Sequence, residues 1–212
     1  MKLKVINLLF FIITFSTLGQ RNLFNQRYEN MASDFNLDDT ELDDYKSQGK
    51  IVVFNEEKHK TKLAKKLLNL KTGKSKKEDK RFYEIVYQII GKEDITHYRV
   101  RYIFVDKTKF ENEEKLEQYL KKVRMLLEET EFKSVAMQYS MDYLKNVGGD
   151  SSWFKESKTQ PEFFREVTNT NRLSDEIFEF EIPDNNGYYF VKKTHAKMDI
   201  NEVLVLEMKE KK

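Results

Sequence analysis

The chain has 212 residues, with 38 basic side chains, 36 acidic side chains and no cysteine. Without cysteine it can form no disulfide, and it cannot be a lipoprotein that carries lipid on an N-terminal cysteine. The net charge is close to zero, which argues against a general nucleic-acid binder because such proteins carry a basic excess. The length predicts one main core with a smaller appendage.

Residues 1–19 are predicted to be a cleavable signal peptide. Lys2 and Lys4 precede a largely apolar run over residues 5–15, which is too short for a stable membrane-spanning helix. Small residues then precede a cleavage site before Gln20. We therefore expect a periplasmic or secreted protein with no membrane span after cleavage. An uncleaved anchor is the alternative.

Residues 20–95 form a mixed N-terminal segment with two blocks of opposite charge. Residues 34–44 contain six acids and no base, whereas residues 58–81 contain ten lysines and Arg81. Such blocks predict two solvated faces. A basic patch that contacts anionic envelope lipid or an acidic client is the alternative.

The same segment predicts short elements of both types. Residues 82–90 alternate as a strand would but also fit a helical turn, and Gly91 is expected to end them. The remaining predictions are a short helix around Leu42 closed by Gly49, a strand over 51–54, a helix over 56–70 and a loop over 71–80.

The second half of the chain predicts a clearer order of elements. The hydrophobic spacing and the turn residues favour a strand over 98–105, helices over 112–129, 132–139 and 161–167, strands over 177–182 and 188–194 around an Asn-Gly turn, and a last strand over 203–208. This order predicts an α+β fold in which a small antiparallel sheet is wrapped by helices, after a helical or mixed N-terminal extension.

One loop carries the most specific motif. Gly148-Gly149-Asp150 is followed by the only tryptophan, Trp153, and is preceded by Tyr139-Ser140-Met141-Asp142. Adjacent glycines indicate backbone that other residues would not easily adopt. The motif resembles the parvulin (rotamase) family of peptidyl-prolyl cis-trans isomerases. The resemblance covers residues 96–196 and leaves 197–212 as a C-terminal strand or tail; the run Thr96–Val100 resembles secreted, Bacteroidota-type members.

The resemblance implies site residues by position. The two family histidines fall on Tyr102 and Tyr189, and the Cys/Asp position falls on Asp142, so these three are the predicted catalytic residues. The positions that cup the proline ring fall on Ser151, Thr159 and Phe163. Alternatives stay open: the tyrosines as ordinary strand aromatics, Asp142 as a turn or cap residue, and Phe163 as a core residue. Trp153 is expected in the core.

Rotation about an X-Pro bond needs no metal or cofactor, because the barrier of about 18–20 kcal/mol is amide resonance. His59, His97 and His195 lack metal-ligand spacing, and no phosphate-binding loop is present. The resemblance therefore implies an isomerase, without cofactor or metal, that acts on unfolded or proline-containing polypeptides during the folding of exported proteins. Its activity is expected to be weak because both histidines are replaced. A non-catalytic peptide-binding chaperone and a structural envelope protein are the alternatives.

Overall fold

A computed structural model of the chain describes residues 31–156 and 160–212. The predicted signal peptide and the predicted cup residue Thr159 lie outside these residues. The described residues form two units, each built on its own antiparallel sheet. The flanking unit combines residues 31–97 with residues 198–212, and the central unit comprises the described residues of 98–197.

The flanking unit has a four-stranded sheet between helices. Its elements are α1 (Met31–Asp34), α2 (Asp39–Gln48), β1 (Lys50–Asn55), α3 (Lys62–Leu68), β2 (Ser75–Asp79), β3 (Tyr83–His97) and β7 (Met198–Lys211). The strand order is β1-β7-β3-β2, so the C-terminal strand lies inside the sheet. Along β7, neighbouring side chains point to opposite faces. Leu204 and Leu206 pack with α1 and α2, whereas Val203 and Val205 pack with α3.

Local signals explain where the helices begin and end. The side chain of Asp38 accepts a hydrogen bond from the backbone N–H of Glu41, and the Glu41 side chain bonds back to Asp38, which is a capping box. Gly49 follows the last residue of α2, as predicted. Thr61 caps α3 by accepting a hydrogen bond from the backbone N–H of Ala64.

Three predictions in this unit were wrong. The predicted loop over 71–80 contains strand β2, whose polar residues pair with β3 at the sheet edge. The predicted helix over 56–70 begins only at Lys62. Gly91 does not end its segment: β3 continues to His97 through an irregularity at Ile89/Gly91. A Cβ atom on Gly91 would lie 2.8 Å from Cβ of Phe35. The absence of a side chain at Gly91 therefore lets Phe35 pack directly against the backbone of β3.

The central unit has a three-stranded sheet in the order β4-β6-β5. Its elements are β4 (Val100–Asp106), α4 (Glu113–Glu129), α5 (Phe132–Tyr139), α6 (Pro161–Thr168), β5 (Ile177–Ile182) and β6 (Gly187–Lys193). Helices α4 and α5 cover one face of the sheet, and α6 covers the other. The predicted α+β fold with an antiparallel sheet and helices is confirmed.

The two units meet around the segment that follows the glycine loop. Tyr98 and Phe154 form a backbone bridge, with N–H to O distances of 2.7 and 2.9 Å. Next to it, Nζ of Lys155 lies 2.5 Å from Oδ2 of Asp34 and 3.2 Å from Oε2 of Glu202. Among the described helices, none is long and apolar enough to span a bilayer.

Candidate active site

The glycine loop lies directly against strand β4. Gly148 and Gly149 have φ angles of +66° and +73°, in the region that favours glycine. The carbonyl of Gly149 accepts a hydrogen bond from the N–H of Tyr102 at 2.9 Å. A Cβ atom on Gly149 would lie 2.2 Å from the carbonyl oxygen of Tyr102. The second glycine therefore allows the loop to approach β4 where a predicted catalytic residue is placed.

Asp150 holds the same loop against β4 through an ion pair. Its carboxylate accepts hydrogen bonds from Nε and Nη2 of Arg99 at 3.0 and 2.6 Å, and Nη2 of Arg101 lies 3.6 Å away. Burial alone would raise the pKa of Asp150, but the hydrogen bonds from Arg99 and from the backbone of Ser152, together with the charges of Arg99 and Arg101, outweigh it and the pKa is lowered. A bidentate arginine pair of this kind fixes geometry as well as charge.

Asp142 is a buried carboxylate held by neutral donors. Its side chain is 8% exposed and accepts a hydrogen bond from Oγ of Ser140 at 2.8 Å. The hydroxyl of Tyr102 also donates to it, as does backbone N–H from Leu144. Burial raises the pKa of Asp142 above its usual value, although these hydrogen bonds act in the opposite direction. Of the described residues, none forms an ion pair with this carboxylate.

The two predicted tyrosines and Phe163 form a closed aromatic triangle. The ring centroids of Tyr102 and Tyr189 are 5.8 Å apart, and Phe163 lies 5.5 Å from Tyr102 and 5.3 Å from Tyr189. All three contacts are edge-to-face, the arrangement that aromatic rings prefer. The three side chains are 1–4% exposed. Strands β4 and β6 supply the tyrosines, and α6 supplies Phe163.

Each tyrosine hydroxyl has its own partner. That of Tyr102 donates to Asp142, and that of Tyr189 accepts a hydrogen bond from Nδ2 of Asn185 at 2.8 Å. Burial raises the pKa of Tyr189 to about 12 and that of Tyr102 well above its usual value. Both phenols are therefore neutral over the physiological range, where a histidine would change its charge.

A comparison of the sequence with protein families identifies the domain to which this site belongs. A family model for the PPIC-type peptidyl-prolyl isomerase (PPIase) domain matches residues 83–197, more than half of the chain. The chain belongs to this family. The matched region of this PPIC-type domain begins in β3 and covers the whole central unit.

Comparison with solved structures gives a partial match. The crystal structure of PrsA from Bacillus subtilis shares 26% identity, with a TM-score of 0.34. The match covers 47% of this chain and 35% of that one, so this chain spans about a third of that structure's length. A search of curated proteins finds no match.

Within the PPIC-type domain, the structure brings together four of the predicted site residues: Asp142, Tyr102, Tyr189 and Phe163. Ser151, in contrast, forms its side-chain hydrogen bonds with backbone groups and not with these four residues. Its Oγ accepts a hydrogen bond from the N–H of Val100 at 3.0 Å and donates to the carbonyl of Ser152 at 2.8 Å. This buried hydroxyl joins the glycine loop to β4, and its role in cupping a ring stays a prediction.

Trp153 is not the core residue that the sequence predicted. It is half-buried, and its ring contacts that of His195 edge-on at 5.5 Å. Phe154 occupies the core instead, at 5% exposed. The bridge between Tyr98 and Phe154 turns the side chain of Phe154 inward, and its neighbour therefore turns outward.

Sequence reasoning missed two polar residues that orient the site. The hydroxyl of Ser140 accepts a hydrogen bond from the N–H of Phe104 at 3.0 Å and donates one to Asp142, so it connects β4 to the carboxylate. Asn185, in the turn before β6, orients the hydroxyl of Tyr189. Ser140 is part of the motif described above and lies two residues before Asp142. This short spacing was the feature of the sequence from which a contact between the two side chains could have been predicted.

Proposed function

We propose that the central unit catalyses cis-trans isomerisation of X-Pro bonds in unfolded segments of exported proteins. Membership in the PPIC-type family gives the reaction class. The buried carboxylate of Asp142 is the observation that links this reaction to particular residues. It accepts hydrogen bonds from Ser140 and Tyr102, and it forms no ion pair among the described residues. Buried groups with raised pKa values and fixed donors are typical of functional sites.

The cluster suits a reaction that breaks no covalent bond. A planar amide owes its barrier to a charge-separated resonance form, and an apolar surrounding stabilises that form less than water does. The rings of Phe163, Tyr102 and Tyr189 provide such a surrounding. The neutral hydroxyl of Tyr102, oriented by Asp142, is a fixed dipole that can act on the twisted carbonyl without reorganisation.

Access to the cluster sets a limit on the rate. Phe163 is 1% exposed and Asp142 is 8% exposed, so a proline ring reaches them only after α6 or its side chains move. Family histidines are replaced here by phenols that stay neutral. These two observations support a slow isomerase, and the replacement of the histidines also favours a second candidate, a peptide-binding chaperone without catalysis.

A coupled proline-isomerisation assay on the full chain tests the proposal. We expect a rate above background that falls about tenfold or more in Asp142→Asn, because removing one oriented electrostatic group has effects of this size or larger. Asp106→Asn is the matched control, since Asp106 only caps the turn after β4. A wild type that binds proline peptides without accelerating rotation supports the chaperone; a wild type that does neither contradicts both.

Two further variants separate binding from rate. Phe163→Ala should weaken peptide binding by roughly ten- to a hundredfold, because a buried ring of this size contributes about 1.5–3 kcal/mol. Tyr102→His combined with Tyr189→His should raise the rate if the phenols limit it. An unchanged rate in the double variant would show that access, and not the phenols, is limiting.

Export is part of the same proposal. The basic residues before an apolar run at 5–15 and the small residues before Gln20 support a signal peptide. Mass spectrometry of the protein from its native host should find an N-terminus at or near Gln20. An intact Met1 in the mature protein would contradict export by this route.

A further inference from the structure

The flanking unit carries a surface of unpaired lysines. Residues 58–77 contain nine lysines, no arginine and no acid. Helix α3 buries Ala64, Leu67 and Leu68 against the sheet, and this packing turns its lysines outward. The lysine face consists of the exposed residues Lys62, Lys65, Lys66, Lys71 and Lys74.

The lysine face lacks the internal partners that neighbouring lysines have. Nζ of Lys77 lies 2.6 Å from Oε2 of Glu84, and Nζ of Lys80 lies 3.3 Å from Oε2 of Glu78. Within residues 31–156 and 160–212, by contrast, no member of the lysine face forms an ion pair. Its charge is therefore uncompensated within the part of the chain that the structure describes.

Acidic side chains occupy the opposite side of the same sheet. Helix α2 packs through Leu42 on the face that holds Leu204 and Leu206, whereas α3 packs on the face that holds Val203 and Val205. The outward side of α2 exposes Asp38, Asp39, Glu41, Asp43 and Asp44. The two charge blocks of the sequence are thus separated by the thickness of the flanking unit, which makes this unit a strong dipole.

We propose that the lysine face binds the surface of an anionic lipid bilayer. Lysine is a point charge on a flexible stem, which suits many mobile headgroups, whereas arginine suits a bidentate partner of fixed geometry. The lysines stand on the outward side of one helix and on the loop that follows it, so several of them can meet a planar surface together. The acidic face then points away from the membrane, so the dipole fixes the orientation of the bound protein.

An exposed aromatic side chain lies in the turn between β2 and β3 of the same unit. Phe82 is 71% exposed, and the guanidinium of Arg81 lies 5.1 Å from its ring centroid. The next residue, Tyr83, packs against the hydrophobic cluster beneath α3. Exposed basic and aromatic side chains together are the composition of interfacial membrane contacts. The inference does not depend on isomerase activity.

Vesicle co-sedimentation of the full chain tests this inference. Vesicles of phosphatidylcholine alone measure any contribution of the N-terminal apolar run, and vesicles that also contain phosphatidylglycerol measure the added effect of charge. Each lysine near an anionic surface contributes about a fivefold gain in partitioning. The variant Lys62→Gln/Lys65→Gln/Lys66→Gln should therefore lose about a hundredfold of the charge-dependent partitioning. Circular dichroism of each variant shows whether it is folded.

The matched control removes the same charge elsewhere. Lys109→Gln/Lys115→Gln/Lys121→Gln changes three exposed lysines of the central unit and should leave partitioning nearly unchanged. Raising salt from about 0.1 M to about 1 M shortens the screening length from about 10 Å to about 3 Å and should abolish the charge-dependent part. Equal losses in both triple variants would overturn the proposal. So would binding to polyglutamate but not to vesicles, or low-salt self-association through the acidic face instead of lipid binding.

Discussion

The two units each bury one carboxylate among the described residues, Glu202 in the flanking unit and Asp142 in the central unit. Glu202 accepts a hydrogen bond from Nδ2 of Asn55 at 2.5 Å, and its oxygens lie 3.2 Å from Nε2 of His97 and from Nζ of Lys155. Burial alone would raise the pKa of Glu202, but these partners lower it to about 2.

Asp142 differs in the kind of partner that it has. Its donors are hydroxyl and backbone N–H groups, and its pKa is raised by burial. Removing one member of a buried and paired set of charges is strongly destabilising, whereas a buried charge without a counter-charge itself costs stability and is typical of functional sites. The comparison supports a structural role for Glu202, and the contrast in partners fits the catalytic role proposed above for Asp142.

The largest expected effect comes from removing the paired carboxylate. Glu202→Ala should lower the free energy of unfolding by about 3–5 kcal/mol, because it leaves the buried side chains of His97 and Asn55 without their shared partner. Glu210→Ala is the control on the same strand: this acid is 54% exposed, and its distant contact with Lys77 is worth less than about 1 kcal/mol. Urea denaturation measures both, and similar losses would refute the role of Glu202.

Acid should weaken the flanking unit through the same group. The folded pKa of Glu202, about 2, lies below its ordinary value of 4.5. The stabilisation is therefore complete above about pH 4.5 and is lost as the pH falls toward 2, and it amounts to roughly 3 kcal/mol. Urea melts between pH 7 and pH 2 should show this loss in the wild type and a flatter dependence in Glu202→Gln. Equal slopes would contradict the assignment.

Substitution of one glycine in each unit shows how tightly the backbone around it is packed. Gly149→Ala should cost about 2 kcal/mol or more, because its φ is +73° and the new Cβ meets backbone of Tyr102. Gly73→Ala, in the flanking unit, has a φ of +82° but meets nothing within 4 Å, so it should cost only about 1 kcal/mol. Thermal melts report both. A Gly149→Ala loss no greater than that of Gly73→Ala would show that the loop can move off β4.

The smallest effect on stability is expected at Asp142, where removal of the charge should not destabilise the protein. A raised folded pKa makes Asp142 a destabilising group above its ordinary pKa of 3.8, so stability falls as pH rises through the range between the two values. Asp142→Asn should therefore leave stability at neutral pH unchanged or raise it, even as isomerase activity falls. A marked loss of stability would instead make Asp142 a structural residue.

The two units also differ in how far the sequence predicted them. In the central unit, helix 132–139 and strand 177–182 were predicted at the residues where they occur, because their apolar spacing is regular and their turns are local. In the flanking unit, β2 was missed because its Ser-Lys-Lys-Glu-Asp sequence has no apolar face. Its strand geometry comes from β3 and from ion pairs such as Lys77 with Glu84.

The site shows the same limit. The positions of Asp142 and Tyr102 relative to the motif were enough to predict them as site residues, and the structure joins them by a hydrogen bond. It could not show that Ser140 connects Asp142 to the backbone of Phe104, because that contact joins residues on different elements. Nor could it show that the hydroxyl of Ser151 is taken up by backbone groups of the glycine loop and β4.

The position of β7 has a consequence for synthesis on the ribosome. Its partners β1 and β3 emerge early, but β7 pairs with both and is translated only after the whole central unit. Until then β1 and β3 present unpaired edges and apolar faces, which are the features that invite aggregation of a nascent chain. The central unit can pair its own strands as soon as β6 is translated. The sheet of the flanking unit can therefore close only after all strands of the central unit have been translated, and its closure depends on β7, which pairs with both β1 and β3.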